Sequence, residues 1–193
     1  MDARTRARRR AERKYVRRTV LISAIVAAAL FAGICVFALQ YPAMQVRGVE
    51  SAIAGGDYDR ALTAISRLKD RDAAARLENA ARLAMAKADL DAGRYEEARK
   101  AFLALGDYDY AADFAQDCAW YQAEALFAAG DYAGAQRQYR LIPDYPGVSD
   151  RMLEIRYIEA VETRQTDPNA AYSLFTELGD YRDSAEIARQ LAV

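Results

Sequence analysis

Hydrophobic and polar positions divide this chain into two regimes. From Thr19 to Gln40 the sequence TVLISAIVAAALFAGICVFALQ contains no charged residue. A helix over that run, rising about 1.5 Å per residue, is roughly 33 Å long and matches a hydrocarbon core of about 30 Å. Beyond it the apolar positions recur at steps of three and four. In LFAAGDYAGAQRQYRL, from Leu126 to Leu141, the residues Tyr132, Ala135 and Tyr139 lie on one stripe of a helix that begins after a small-residue turn at Gly130-Asp131. Close copies occur earlier, as AGGDYDRALTAISRL from Ala54 and DAGRYEEARKAFLAL from Asp91.

The copies are evenly spaced. Gly56, Gly93 and Gly130 stand 37 residues apart, and so do Tyr58, Tyr95 and Tyr132, and Ala61, Ala98 and Ala135. One step of 36 later come Pro168, Ala171 and Phe175, where Asp167-Pro168 supplies an N-cap followed by proline at the first helical position. A second turn recurs between units at Leu68, Leu105, Ile142 and Leu178, twice as Leu-Gly-Asp-Tyr. Gly106 and Gly179 suit the left-handed position that closes a helix, and Asp183 with Glu186 fits a capping box opening a short final helix from Asp183 to Ala192. Each unit reads as a longer helix of about 16–19 residues, a tight turn and a shorter helix of about 11. Tyr41-Pro42 is expected to end or kink the first helix, with a short helical segment from Ala43 to Ala54 after it. The expected fold is all-α: an N-terminal transmembrane helix followed by a short α-solenoid of helix-turn-helix repeats with a period of 36–37. The expected organisation is a basic arm over 1–18, the span over 19–40 and a repeat domain over 43–193.

From Trp120 to Leu141 the sequence WYQAEALFAAGDYAGAQRQYRL, with its Trp, Gly-Asp-Tyr turn and Ala and aromatic three and seven residues after the Tyr, resembles the tetratricopeptide repeat family. The period departs from the family's typical 34. Trp120 lies one residue closer to the turn glycine than the family pattern has it, and Leu-Gly-Asp-Tyr replaces the family's closing Pro. The chain looks like the divergent repeats of bacterial membrane-anchored proteins whose units end in Gly-Asp-Tyr-x-Asp-Ser. A repeat stack has a concave wall built from its longer helices. Leu83, Lys87, Trp120, Glu124, Phe127, Arg156 and Arg164 are the residues expected to line it for a protein or peptide partner. Packing between repeats is the competing role for Trp120 and Phe127.

Charge sets the orientation of the span. Residues 1–18 hold nine basic residues against Asp2 and Glu12, a net of +7. The remainder carries −8, to bring the chain to its net −1. Only Arg47 follows the span before Arg60, so the positive-inside rule places the N-terminus in the cytoplasm and the repeats outside it, at a cell membrane. An acidic repeat domain is expected to stand off anionic headgroups. The arm RTRARRRAERK could neutralise nucleic-acid phosphates, but beside a span it serves to hold topology, so no nucleic-acid partner is expected. A cleaved signal peptide would have a shorter apolar run and a small-x-small exit, neither of which is present here. Ile34 occupies the position where a lipoprotein cysteine at Cys35 would need a small neighbour.

The candidate chemistry is thin. The chain has no His, which removes the commonest general base and metal ligand. Cys35 falls in the span and Cys118 on an apolar helix face, so neither a disulfide framework nor a zinc site is expected. The carboxylates recur at turns and caps, where Asp serves local hydrogen bonds. No phosphate-binding glycine loop or serine nucleophile motif is present. The expectation is therefore a non-enzymatic interaction or scaffolding protein without cofactor, metal or catalytic residues. Self-association through Ala24, Ala28 and Gly33 in the span is the alternative.

Overall fold

The computed structural model describes the backbone of residues 3–192 and the side chains of residues 18–192. The described residues form nine helices and no strand. The helices are α1 (Ala3–Ala54), α2 (Tyr58–Ser66), α3 (Arg71–Asp91), α4 (Tyr95–Leu105), α5 (Ala111–Ala128), α6 (Tyr132–Tyr139), α7 (Val148–Thr163), α8 (Pro168–Leu178) and α9 (Ser184–Leu191). Long and short helices alternate as the spacing predicts. Consecutive helices pack on one another from α4 through α9, as does α1 on α2.

Of the two outcomes expected at Pro42, the helix does not end there: α1 runs on through it. Proline removes one N–H and leaves the carbonyl four residues back, on Ala38, without its usual donor. That is a single bond, set against three further turns that pack on α2 and bury Val49 and Ala52. The segment Ala43–Ala54, expected as a separate helix, is thus the end of α1. Arg18–Ala54 is long and apolar enough to cross a membrane, and none of its most apolar window is buried. The large side chains between Thr19 and Gln40 are open, from Val26 at 52% to Leu39 at 80%.

The chain forms two compact units, one up to Glu78 and one from Asn79. The expected repeat domain is therefore divided inside α3. In the first unit Val49, Ala52, Ala61, Ile65, Leu68, Ala73, Ala74 and Leu77 are buried. The second holds three successive cores. Phe102, Tyr139 and Phe175, each fully buried, anchor one core apiece. The small residues Ala61, Ala98, Ala135 and Ala171 have no exposure at all, so close helix approach explains their recurrence. Cys118 belongs to the first of these cores, and burial pushes its thiol up to about 11.

Caps follow the sequence where they are local. Asp57, Asp131 and Asp167 accept N–H groups of Arg60, Gly134 and Ala170. Two expectations fail. Asp183 makes no side-chain cap to α9 and instead accepts the Tyr157 hydroxyl at 2.7 Å, so the Asp183–Glu186 capping box is absent. Gly106 and Gly179 have φ of 59° and 56°, but ψ of −126° and −120° takes them out of the left-handed helical region. In those turns the positive φ recurs at Asp109, Tyr110 and Arg182.

Candidate functional site

On α5 the residues Asp117, Trp120, Glu124 and Phe127 follow one another at steps of three and four, and so form a single stripe. α6, the turn after it and α7 meet that stripe. Arg151 of α7 grips the Glu124 carboxylate with two N–H donors, Nε and Nη2, each at 2.8 Å. Such a fork fixes direction as well as distance. The Tyr139 hydroxyl donates to the same carboxylate. Burial acts to raise the Glu124 carboxyl, but Arg151 and Tyr139 outweigh it and hold the group below its usual value. The Arg151 guanidinium also lies 4.8 Å from the Phe127 ring centroid. A positive head over an aromatic face completes the setting of this half-open charge pair.

Trp120 is packed between rings. It stacks on Tyr145 at 5.2 Å and meets Tyr139 at 5.5 Å. The Tyr145 hydroxyl donates to Asp117 at 2.8 Å. Burial and that hydrogen bond push the Tyr145 phenol up to about 12. Gly147 closes the turn with φ of 90°, and a Cβ there would come 2.9 Å from Trp120 Cη2. One repeat later the pattern returns. Tyr181 donates to Glu154 at 2.7 Å and Arg182 donates to the same carboxylate at 2.6 Å. Between the two networks lies a cavity of about 400 Å³ lined by Trp120, Gly147, Asp150, Arg151, Glu154 and Tyr181.

The residues expected to line a groove thus separate. Trp120, Glu124 and Phe127 gather around Arg151. Leu83 is buried, at 6% exposure, in the core of Ala86, Ala98 and Phe102, and offers a partner nothing. Lys87 sits 4.4 Å from the Phe114 ring centroid. Arg156 reaches α8, with Glu177 at 3.3 Å, and Arg164 is exposed at the C-cap of α7. Both lie apart from the Trp120 cluster. The sequence reading missed Asp117, Tyr139, Tyr145 and Arg151. One signal was available: an acid on a long helix stands 27 or 28 residues before the tyrosine of the following turn, as Asp117–Tyr145 and Glu154–Tyr181.

The Asp117, Glu124 and Glu154 carboxylates are committed to guanidinium and hydroxyl groups. Among the described residues no group of three or more His, Cys, Asp or Glu side chains is placed to hold a metal ion. The arrangement can present oriented charges and aromatic faces, which is the chemistry of recognition. The chain matches no protein-family model, no curated protein and no solved structure.

Proposed function

We propose that this chain is a single-span membrane protein whose tetratricopeptide-like repeats bind a protein or peptide partner, or scaffold an assembly, at the membrane surface. α1 crosses the bilayer, the N-terminus is cytoplasmic and the repeats lie outside the cytoplasm. The observation that carries the binding role is the cavity beside Trp120. Arg151, Glu154 and Tyr181 on its wall are held by hydrogen bonds and Trp120 by ring stacking before any partner arrives, which lowers the ordering cost of association. Its size falls within the roughly 300–1,000 Å³ of ordinary ligand clefts.

The test is a photo-crosslinking side chain placed at Asp150, an exposed residue on the cavity rim, in the full chain in its native membrane. Discrete heavier adducts should form there and not from Ala104, an exposed position on α4. Absence of adducts at Asp150 would remove the groove reading. Adducts only with a second copy of this chain would favour the structural alternative. Ala24, Ala28 and Gly33 favour that alternative, because small residues in a span let another helix approach closely.

A further inference from the structure

Where the uncharged run ends, α1, the α2–α3 turn and the start of α3 enclose a groove of about 920 Å³ within the first unit. Its walls differ in chemistry. Phe37 and Tyr41, with ring centroids 5.4 Å apart, carry the apolar surface of the span into it. The rim bears Arg47, Arg67, Lys69 and Arg76, all exposed. Among the described residues none of these four has a carboxylate within ion-pair distance. By contrast Arg94, Arg151, Arg182 and Arg189 are each paired. Of the two acids in the groove, Asp70 is committed to the N–H groups of Asp72 and Ala73. Glu50 is left against four cations.

Depth narrows the occupant. With Thr19–Gln40 in hydrocarbon, Phe37 lies level with acyl chains, while Arg47 is about 15 Å further along the helix and about 10 Å past Gln40, at the outer side of the headgroup layer. Long basic side chains reach back into that layer. A soluble partner can meet the cationic rim but not Phe37. An amphiphile resident in the leaflet meets both. Charge permits it as well. Six basic and six acidic residues cancel between Tyr41 and Glu78, so the −8 lies entirely beyond the first unit and does not repel lipid from this groove.

We infer that this groove binds an anionic glycerophospholipid, with its phosphate among Arg47, Arg67, Lys69 and Arg76 and its upper acyl region against Phe37 and Tyr41. The inference rests on α1 spanning the membrane. That premise is checked separately, since a chain released from membranes by alkaline carbonate does not span them. For the test, the full chain is held in detergent micelles doped with equal dioleoylphosphatidylglycerol and dioleoylphosphatidylcholine. It is then re-isolated and its retained lipid measured by mass spectrometry. The wild type should retain the anionic lipid about fivefold or more over the zwitterionic one. The variant Arg47→Gln/Arg67→Gln/Lys69→Gln/Arg76→Gln, which keeps the whole basic arm, should lose at least half of that excess. If it fails to fold, Lys69→Gln alone, in the turn between α2 and α3, should lower the ratio in the same direction. Equal retention of the two lipids by the wild type overturns the inference. So does an unchanged ratio in the variant, which would put the lipid on the arm. Displacement of the lipid by excess glycerol 3-phosphate would mark a site for soluble phosphates and overturn it too.

Discussion

Gly147 is the residue on which the Trp120 cluster turns, for two separable reasons. Its φ of 90° favours glycine, and the space a Cβ would occupy is filled by the Trp120 ring. Gly130 isolates the first reason, since its φ is 80° but nothing lies within 4 Å of a Cβ there. The left-handed region costs a side-chain-bearing residue about 1–2 kcal/mol. Crowding a packed ring adds about 1–3 kcal/mol. Gly147→Ala should therefore destabilise the chain by about 2–5 kcal/mol and Gly130→Ala by about 1–2 kcal/mol, read from urea midpoints in detergent. Equal losses would mean that the Trp120 ring moves aside freely. Trp120 would then be a mobile surface residue and no fixed wall for a partner.

Tyr145 ties one element to another, because its hydroxyl crosses from the turn before α7 back to Asp117 on α5. Burial and the bond to Asp117 push its phenol from the ordinary 10.0 up to about 12. A raised value means the link contributes fully below pH 10 and is lost as pH rises through the folded value. Tyr139, bonded to Glu124, shifts in the same direction. The chain should therefore lose stability as pH climbs from 10 toward 12. Tyr145→Phe should cost about 1 kcal/mol at neutral pH and make the alkaline fall shallower. An equally steep fall in that variant would remove Tyr145 from the account. Links of this kind were the part of the fold hardest to read in advance. The caps at Asp57, Asp131 and Asp167 are local, with donor and acceptor three residues apart, so spacing alone reveals them. The recurring alanines are legible because every repeat imposes the same close crossing. Trp120, Glu124 and Phe127 are legible as one stripe because one helix carries all three, whereas Arg151 arrives from 27 residues beyond Glu124. Asp183 shows the local rule losing, since a neighbouring repeat offers the Tyr157 hydroxyl and the carboxylate turns to it.

At the scale of the molecule, charge and burial are divided along the chain, and this makes orientation measurable without removing the native cysteines. Cys35 lies in the uncharged run, where hydrocarbon would exclude a charged maleimide. Cys118 has no exposure, and with its thiol pushed up to about 11 only roughly one molecule in ten thousand is thiolate at neutral pH. Both should stay silent toward a membrane-impermeant reagent. Ser149→Cys adds an exposed thiol near the start of α7. Thr5→Cys places a thiol in the basic arm. In intact cells the reagent should label Ser149→Cys at once and Thr5→Cys only after the membrane is opened, because moving +7 of charge across the bilayer opposes the reverse insertion. Labelling of the two in the opposite order would put the repeats in the cytoplasm. The cavity beside Trp120 would then face cytoplasmic partners, and the groove at Phe37 and Arg47 would meet the cytoplasmic leaflet, with its own store of anionic lipid. The labelling order thus decides which pool of partners each surface can reach, while the physical case for each surface stands on its own residues.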